Sequence, residues 1–265
     1  MKHLFEDRPR QVLTILAITG LMVSCGESGS GGDGSWKAPG RSADGWKQAF
    51  HKDGVRLTCD TGYQDAIDSD APLVQIDETT LVVGYEQVGD NQNPILIRFE
   101  EDQQVYCRRH ETEPPDGRAL GLTWDGDDIA YVTYTVVGGG SALEGRRGWL
   151  DAYAPGAIHG GGPKVSYLGR VNITDGSLEA GSFIIAVKSD RSVNSHRPAG
   201  APKVRDDGRV EFIGESAHKP IDPSGQASMD CTDYPFDSRY VFEPQLDTLV
   251  CASSTNCTSS QACDL

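Results

Sequence analysis

The chain has 265 residues, with 24 Lys and Arg against 39 Asp and Glu, a formal net charge of −15. So acidic a surface lacks the basic face that a phosphate backbone requires, which excludes nucleic acid as a partner and excludes docking on anionic headgroups by charge. Thirty-one glycines and 14 prolines are spread along the chain, and past residue 24 no stretch keeps helical periodicity for more than about two turns, so a helical fold is excluded too.

Residues 1–11 carry Lys2, Arg8 and Arg10 beside Glu6 and Asp7, and an uncharged run follows from Val12 to Val23. As a helix that run reaches roughly 18 Å, against a hydrocarbon core of about 30 Å, so it is too short for a permanent span and has the length of a signal-peptide apolar region. It ends in Leu21, Met22, Val23, Ser24 and then Cys25. That ending resembles the lipobox of bacterial lipoproteins, with Met22 where leucine is usual. The resemblance covers residues 1–25. It implies that residues 1–24 are removed and that Cys25 becomes a lipidated N-terminus, anchored by several acyl chains at ~0.8 kcal/mol per buried CH₂. Gly26 is not the aspartate associated with inner-membrane retention, so the expected address is the cell envelope, with the outer membrane favoured. The mature chain then keeps 21 basic and 37 acidic residues.

Residues 25–45 read as a tether. Positions 26–45 hold seven glycines, four serines and a proline, with little apolar besides Trp36. Such a segment buries too little surface to offset its ordering entropy.

Residues 46–252 read as one all-β domain. Short runs rich in Val, Ile, Tyr and Phe alternate with turn residues. A faint repeat runs through them. An apolar strand closed by a turn recurs at 49–55, 98–105, 152–158, 186–193 and 241–249, anchored by Phe50, Phe99, Tyr153, Val187 and Phe242. A turn followed by a stronger strand alternates with it at 77–86, 125–135, 160–170 and 206–216, and Gly84, Gly169 and Gly214 fall at one equivalent place. Four short strands per ~40–50 residues is the size of a propeller blade. The pattern resembles bacterial β-propeller repeats, which implies a small β-propeller of about four to five blades, with a β-sandwich or an open array of hairpins as alternatives. The expected core includes Val82, Ile97, Val132, Leu150, Ile184 and Phe212. An N-terminal hairpin is expected to complete the last blade and close the ring.

Once Cys25 is lipidated, six cysteines remain as disulfide candidates: Cys59, Cys107, Cys231, Cys251, Cys257 and Cys263. An even number in an exported chain reads as disulfides, with 15 possible connectivities. Cys257 and Cys263 stand close enough in the polar tail, residues 253–265, to close a small loop. Cys59 and Cys107 follow their anchoring aromatics by nine and eight residues. In neighbouring blades such positions are too far apart to bond, so these two are not expected to pair.

Three groups of residues invite a chemical reading. HGGG at 159–162 and GESAH at 214–218 resemble an esterase oxyanion loop and nucleophile elbow, but His218 replaces the last glycine of the elbow and Pro220 obstructs the helix that must follow. Asp65, Asp68 and Asp70, and then Asp125, Asp127 and Asp128, form oxygen-rich stretches. They are expected to be solvated turn aspartates, with Ca²⁺ the one ion they could hold and no other cofactor implied. His51, His110, His159, His196 and His218 lack metal-ligand spacing and are expected at the surface or in turns. The expected function is that of a lipid-anchored, non-enzymatic binding module whose loops meet a protein, peptide or glycan. The alternative is a propeller-fold carbohydrate hydrolase with paired carboxylates in its channel.

Overall fold

The computed structural model describes residues 45–112, 116–137, 142–160 and 162–263. The expected signal segment, Cys25 and nearly all of the expected tether lie outside them. The described chain is all-β, with one six-residue helix. β1 (Lys47–Phe50) is followed by α1 (Tyr63–Asp68) and by a four-stranded meander of β2 (Leu73–Ile76), β3 (Thr79–Val88), β4 (Asn91–Glu100) and β5 (Gln103–Arg109). A second sheet consists of β6 (Gly117–Trp124), β7 (Ile129–Val137), β8 (Lys164–Asn172) and β9 (Leu178–Ile184), with β1 added alongside β6. There follow β10 (Ala186–Val187), β11 (Val193–Asn194), β12 (His196–Pro198), β13 (Lys203–Val204), β14 (Val210–Ser216), β15 (Lys219–Pro220), β16 (Asp230–Cys231), β17 (Phe236–Phe242), β18 (Leu249–Ser254) and β19 (Cys257–Thr258). The third large sheet has the order β12-β14-β17-β18, with β13 also on β14; β11-β10-β15 and β16-β19 form two small ones.

Side-chain alternation places the core. On β3 and β4, Leu81, Val83 and Leu96 face the main core shared with the second and third sheets, while Val82, Ile95, Ile97 and Phe99 face the other way. That is the period-2 pattern of a strand buried on both faces. The outward set is not left wet. Leu57 and Ala66, from the segment that carries α1, lie on it, with Tyr63 edge-on to Phe99 at 5.5 Å between ring centroids. Each aliphatic or aromatic side chain so covered contributes on the order of 1.5–3 kcal/mol. β3 and β4 also pack against β6, and β7 and β8 pack against β12, so each large sheet stacks on the next in chain order. All six expected core residues are buried.

The expected ring of four or five blades is not seen among the described residues. They hold three large antiparallel sheets, and none closes on itself. Two features explain the difference. The outer face of the β2–β5 sheet, which a closing blade would need, is occupied by the α1 segment. The N-terminal strand joins the second sheet rather than the last: Phe50 pairs with Gly121, and a Cβ on Gly121 would come within 2.9 Å of the Phe50 ring. Of the repeat anchors, Phe99, Val187 and Phe242 do lead into hairpins, whereas Tyr153 lies in a stretch without strands. Gly84 and Gly214 share one role, close approach of a second chain segment. A Cβ on Gly84 would stand 2.5 Å from the Val55 carbonyl oxygen, and one on Gly214 would strike the His196 ring.

All six cysteine candidates are bonded. Cys59 pairs with Cys107, Cys231 with Cys257 and Cys251 with Cys263. The first pair corrects the expectation that those two stay apart. They do not occupy equivalent places in neighbouring blades: Cys59 belongs to the segment covering the first sheet and Cys107 to β5 of that sheet, with Cα atoms 5.4 Å apart. Cys257 and Cys263 do not close a loop on each other, because β19 lies on β16 and brings Cys257 opposite Cys231. The polar tail is thereby tied down, and Ser260 donates from both its amide and hydroxyl to Asp222.

Candidate functional site

The short strand β10 organises a cleft. It pairs on one side with β11 and on the other with β15, which sets Val187 opposite both Val193 and Lys219. The β10–β11 turn is fixed from within. Asp190 accepts hydrogen bonds from the amide (2.9 Å) and hydroxyl (2.6 Å) of Ser192, which hold its carboxyl below the usual carboxylate range, and Arg191 takes a left-handed φ of 65°. Lys188, Ser189 and Arg191 project from this turn. His218 and Lys219 come from the chain entering β15, and Gln226, Ala227 and Ser228 from the turn after it. Together with Val187, Ala217 and Phe236 they enclose a cleft of about 500 Å³.

The charge of this cleft runs against that of the molecule. Lys188, Arg191 and Lys219 line it, and no carboxylate does. Every ion pair among the described residues uses an arginine; Lys188 and Lys219 make no direct ion pair there, although the Lys188 charge is felt by Asp190. Asp190, the nearest acid in the turn, is held by Ser192. Tyr234 is 68% exposed and stands edge-on to Phe236, a lining residue, at 6.2 Å. Of the three aromatics in the 226–240 stretch, Tyr240 and Phe236 are buried and Tyr234 is free to meet a ligand. Such a cleft can hold an anion by point charges and a planar or ring-shaped group by its aromatic edge.

Sequence reading missed this site because its cations come from two places 28 residues and more apart, KSDR at 188–191 and HK at 218–219, joined only by the β10–β15 pairing. Of what that reading did single out, His218 and Phe236 line this cleft, and the remaining candidates fall elsewhere. Cys25 and Gly161 lie outside the described residues. Ser216 sits at the end of β14, not in a strand-to-helix turn, and its hydroxyl donates to the His218 carbonyl at 2.6 Å. Asp65 and Asp68 lie on α1, which the sequence reading placed in a turn, and Asp127 donates its amide to Asp125 in the β6–β7 turn. Among the described residues, no three or more His, Cys, Asp or Glu gather to hold a metal.

Two histidines are not at the surface as expected. His196 is fully buried where β12 crosses from the second sheet to the third. Its Nδ1 lies 2.9 Å from the Ser166 hydroxyl of β8 and its Nε2 2.7 Å from the Ser238 hydroxyl of β17. His110 is bound by the Tyr134 hydroxyl at 2.7 Å and by the Gly176 carbonyl at 2.9 Å. Burial pushes their pKa values down to about 3 and about 4 respectively. Both are neutral sheet-to-sheet fasteners. The Ser–His–Ser row has no acid member and is sealed from solvent, so it cannot meet a substrate.

No protein-family model matches this chain, and none of the curated proteins matches it in sequence.

Proposed function

We propose that the protein is a lipid-anchored binding module of the bacterial cell envelope, held through Cys25, which takes an acidic glycan in the Lys188–Lys219 cleft and performs no chemistry on it. The single observation that carries this reading is a cleft of about 500 Å³ with three cations and no carboxylate in a chain of net charge −15. A glycan suits the lining better than an acidic peptide. Ser189, Ser228 and Gln226 offer hydroxyl and amide groups for sugar hydroxyls, and the exposed Tyr234 ring stands next to the lining residue Phe236. The fold supports a scaffold role: three blade-sized sheets stacked in chain order, which we read as an open relative of the propeller plan, displaying loops at their ends. The hydrolase alternative needs two carboxylates about 5–9.5 Å apart in one pocket. Three other clefts among the described residues, of about 300, 350 and 420 Å³, are each lined by a single carboxylate, Glu211, Asp53 and Asp237 respectively.

Two experiments test the proposal. Cells grown with a fatty-acid probe should label the wild-type protein and not Cys25→Ser; label retained by the variant refutes the anchor. Galacturonate trimer should bind the purified protein with an affinity that Lys188→Glu/Lys219→Glu lowers at least tenfold. Equal binding by the variant refutes the cleft.

A further inference from the structure

A second cationic cleft lies further along the same stretch of chain, past β11. Lys52, Arg118, Lys164 and Arg197 line about 350 Å³ together with Asp53, Leu120, Thr135 and Ser195. Arg118 is spent on structure: it donates to the Asp53 carbonyl and to Gln92, and its guanidinium lies 4.5 Å over the Tyr85 ring. Arg197 reaches Glu215 at 3.4 Å and Asp53 at 3.9 Å. Lys52 and Lys164, both exposed, make no ion pair among the described residues. Of the eight lysines in the chain, four line these two clefts, two in each.

The path between them is short and built. Arg191 closes the first cleft, and Ser195 and Arg197 line the second. Chain extension caps the Cα separation of Arg191 and Ser195 at about 14 Å. β11 and β12 occupy that interval. His196, fastened by Ser166 and Ser238, and Pro198 are buried, which leaves Ser195 and Arg197 facing outward. Two short strands, β11 and β12, thus join the clefts, and each cleft is lined by two lysines without a direct ion pair.

We propose that the two clefts form a single track for a linear acidic polysaccharide, whose repeating carboxylates reach both lysine pairs at once. This inference rests on the glycan reading of the first cleft and extends it to the length of the ligand. A chain that spans both sites makes its second contact intramolecularly, so affinity rises by ~10²–10⁴ over a fragment that fills one. A fragment gains nothing from the second cleft while it sits in the first.

The test uses the purified protein with galacturonate trimer and dodecamer, titrated calorimetrically at fixed salt. The dodecamer should bind the wild type at least a hundredfold more tightly than the trimer. Lys52→Glu/Lys164→Glu, both surface changes with folding checked by circular dichroism, should remove that advantage and leave trimer binding at the first cleft intact. A dodecamer no tighter than the trimer, or one unaffected by Lys52→Glu/Lys164→Glu, overturns the track and leaves the first cleft standing. Trimer binding that ignores Lys188→Glu/Lys219→Glu overturns the first cleft itself, and the track with it. Polyglutamate of matched length that binds as tightly as the dodecamer overturns the choice of a polysaccharide.

Discussion

Mild acid should destabilise this protein through its two buried histidines. His196 and His110 are neutral in the folded state, with pKa values pushed down by burial to about 3 and about 4. In the unfolded chain each takes up a proton near pH 6.5. Because the folded pKa is the lower one, the unfolded state binds more protons below pH 6.5, and stability falls as pH falls, until the folded values are reached. At pH 5 each histidine favours unfolding by about 2 kcal/mol relative to pH 8, about 4 kcal/mol for the pair. That is a large share of an ordinary domain stability of about 5–15 kcal/mol. The carboxylates Glu86 and Glu100 are held below the usual range, and their contribution is lost only at more acid pH, as they protonate, so the window from pH 7 to pH 5 belongs to the histidines. For Glu86 the Arg109 hydrogen bond is the leading cause; for Glu100 burial opposes the shift and Arg98 and Thr79 outweigh it. The assay is urea unfolding at several pH values in high salt, which screens the general charge of the surface. His196→Gln should lower stability at every pH and halve the slope between pH 6 and pH 5. A stability flat across that window, or an imidazole of the folded protein titrating near pH 6.5 at either position by NMR, refutes the reasoning.

Replacing Cys59 by serine frees a 48-residue loop, for which chain entropy alone sets a cost of about 4 kcal/mol. Hydrogen exchange should then rise first in residues 55–72, and a variant with protection unchanged there would show that the segment holds without its bond. Gly84→Ala drives a methyl group onto the Val55 carbonyl and the Leu57 side chain, and should cost about 1–3 kcal/mol by denaturant midpoint; a neutral result would mean that the cover segment yields freely. Ser238→Ala strips His196 Nε2 of its partner in a sealed site, with an expected loss of about 1–3 kcal/mol and no change in glycan affinity. Altered affinity would tie the fastener to the ligand track directly.

Much of the fold could be read from short β-branched and aromatic runs between turns, because most such runs form strands and stretches such as EEDQ at 100–103 and DDG at 206–208 form the turns between them. Val82, Ile97 and Phe212 could be placed in the core on alternation alone. Sheet membership could not. The repeat marks hairpins, and a hairpin looks the same whether its neighbour is the next strand of a meander or one returning from 70 residues away, as β1 does on β6. The disulfide map failed for the same reason, since Cys59 and Cys107 are near in space through a covering segment that follows no repeat. α1, at six residues, is too short to show a period. His196 reads as a surface histidine because the serines that satisfy it stand 30 and 42 positions away. The candidate cleft was hidden by arithmetic: an overall excess of acid says nothing about where Lys188 and Lys219 meet.

The covering segment over β2–β5 gives the stack of sheets a sealed end. Open piles of sheets carry a hazard, since a bare oily terminus invites a second copy to add on and then a third. Here the terminus is finished by the protein's own chain and riveted by Cys59 and Cys107, so that apolar face is not offered to a second copy. Exposure to thiols would strip that finish first, and the earliest sign of damage should be self-association through the newly bared Val82, Ile95, Ile97 and Phe99.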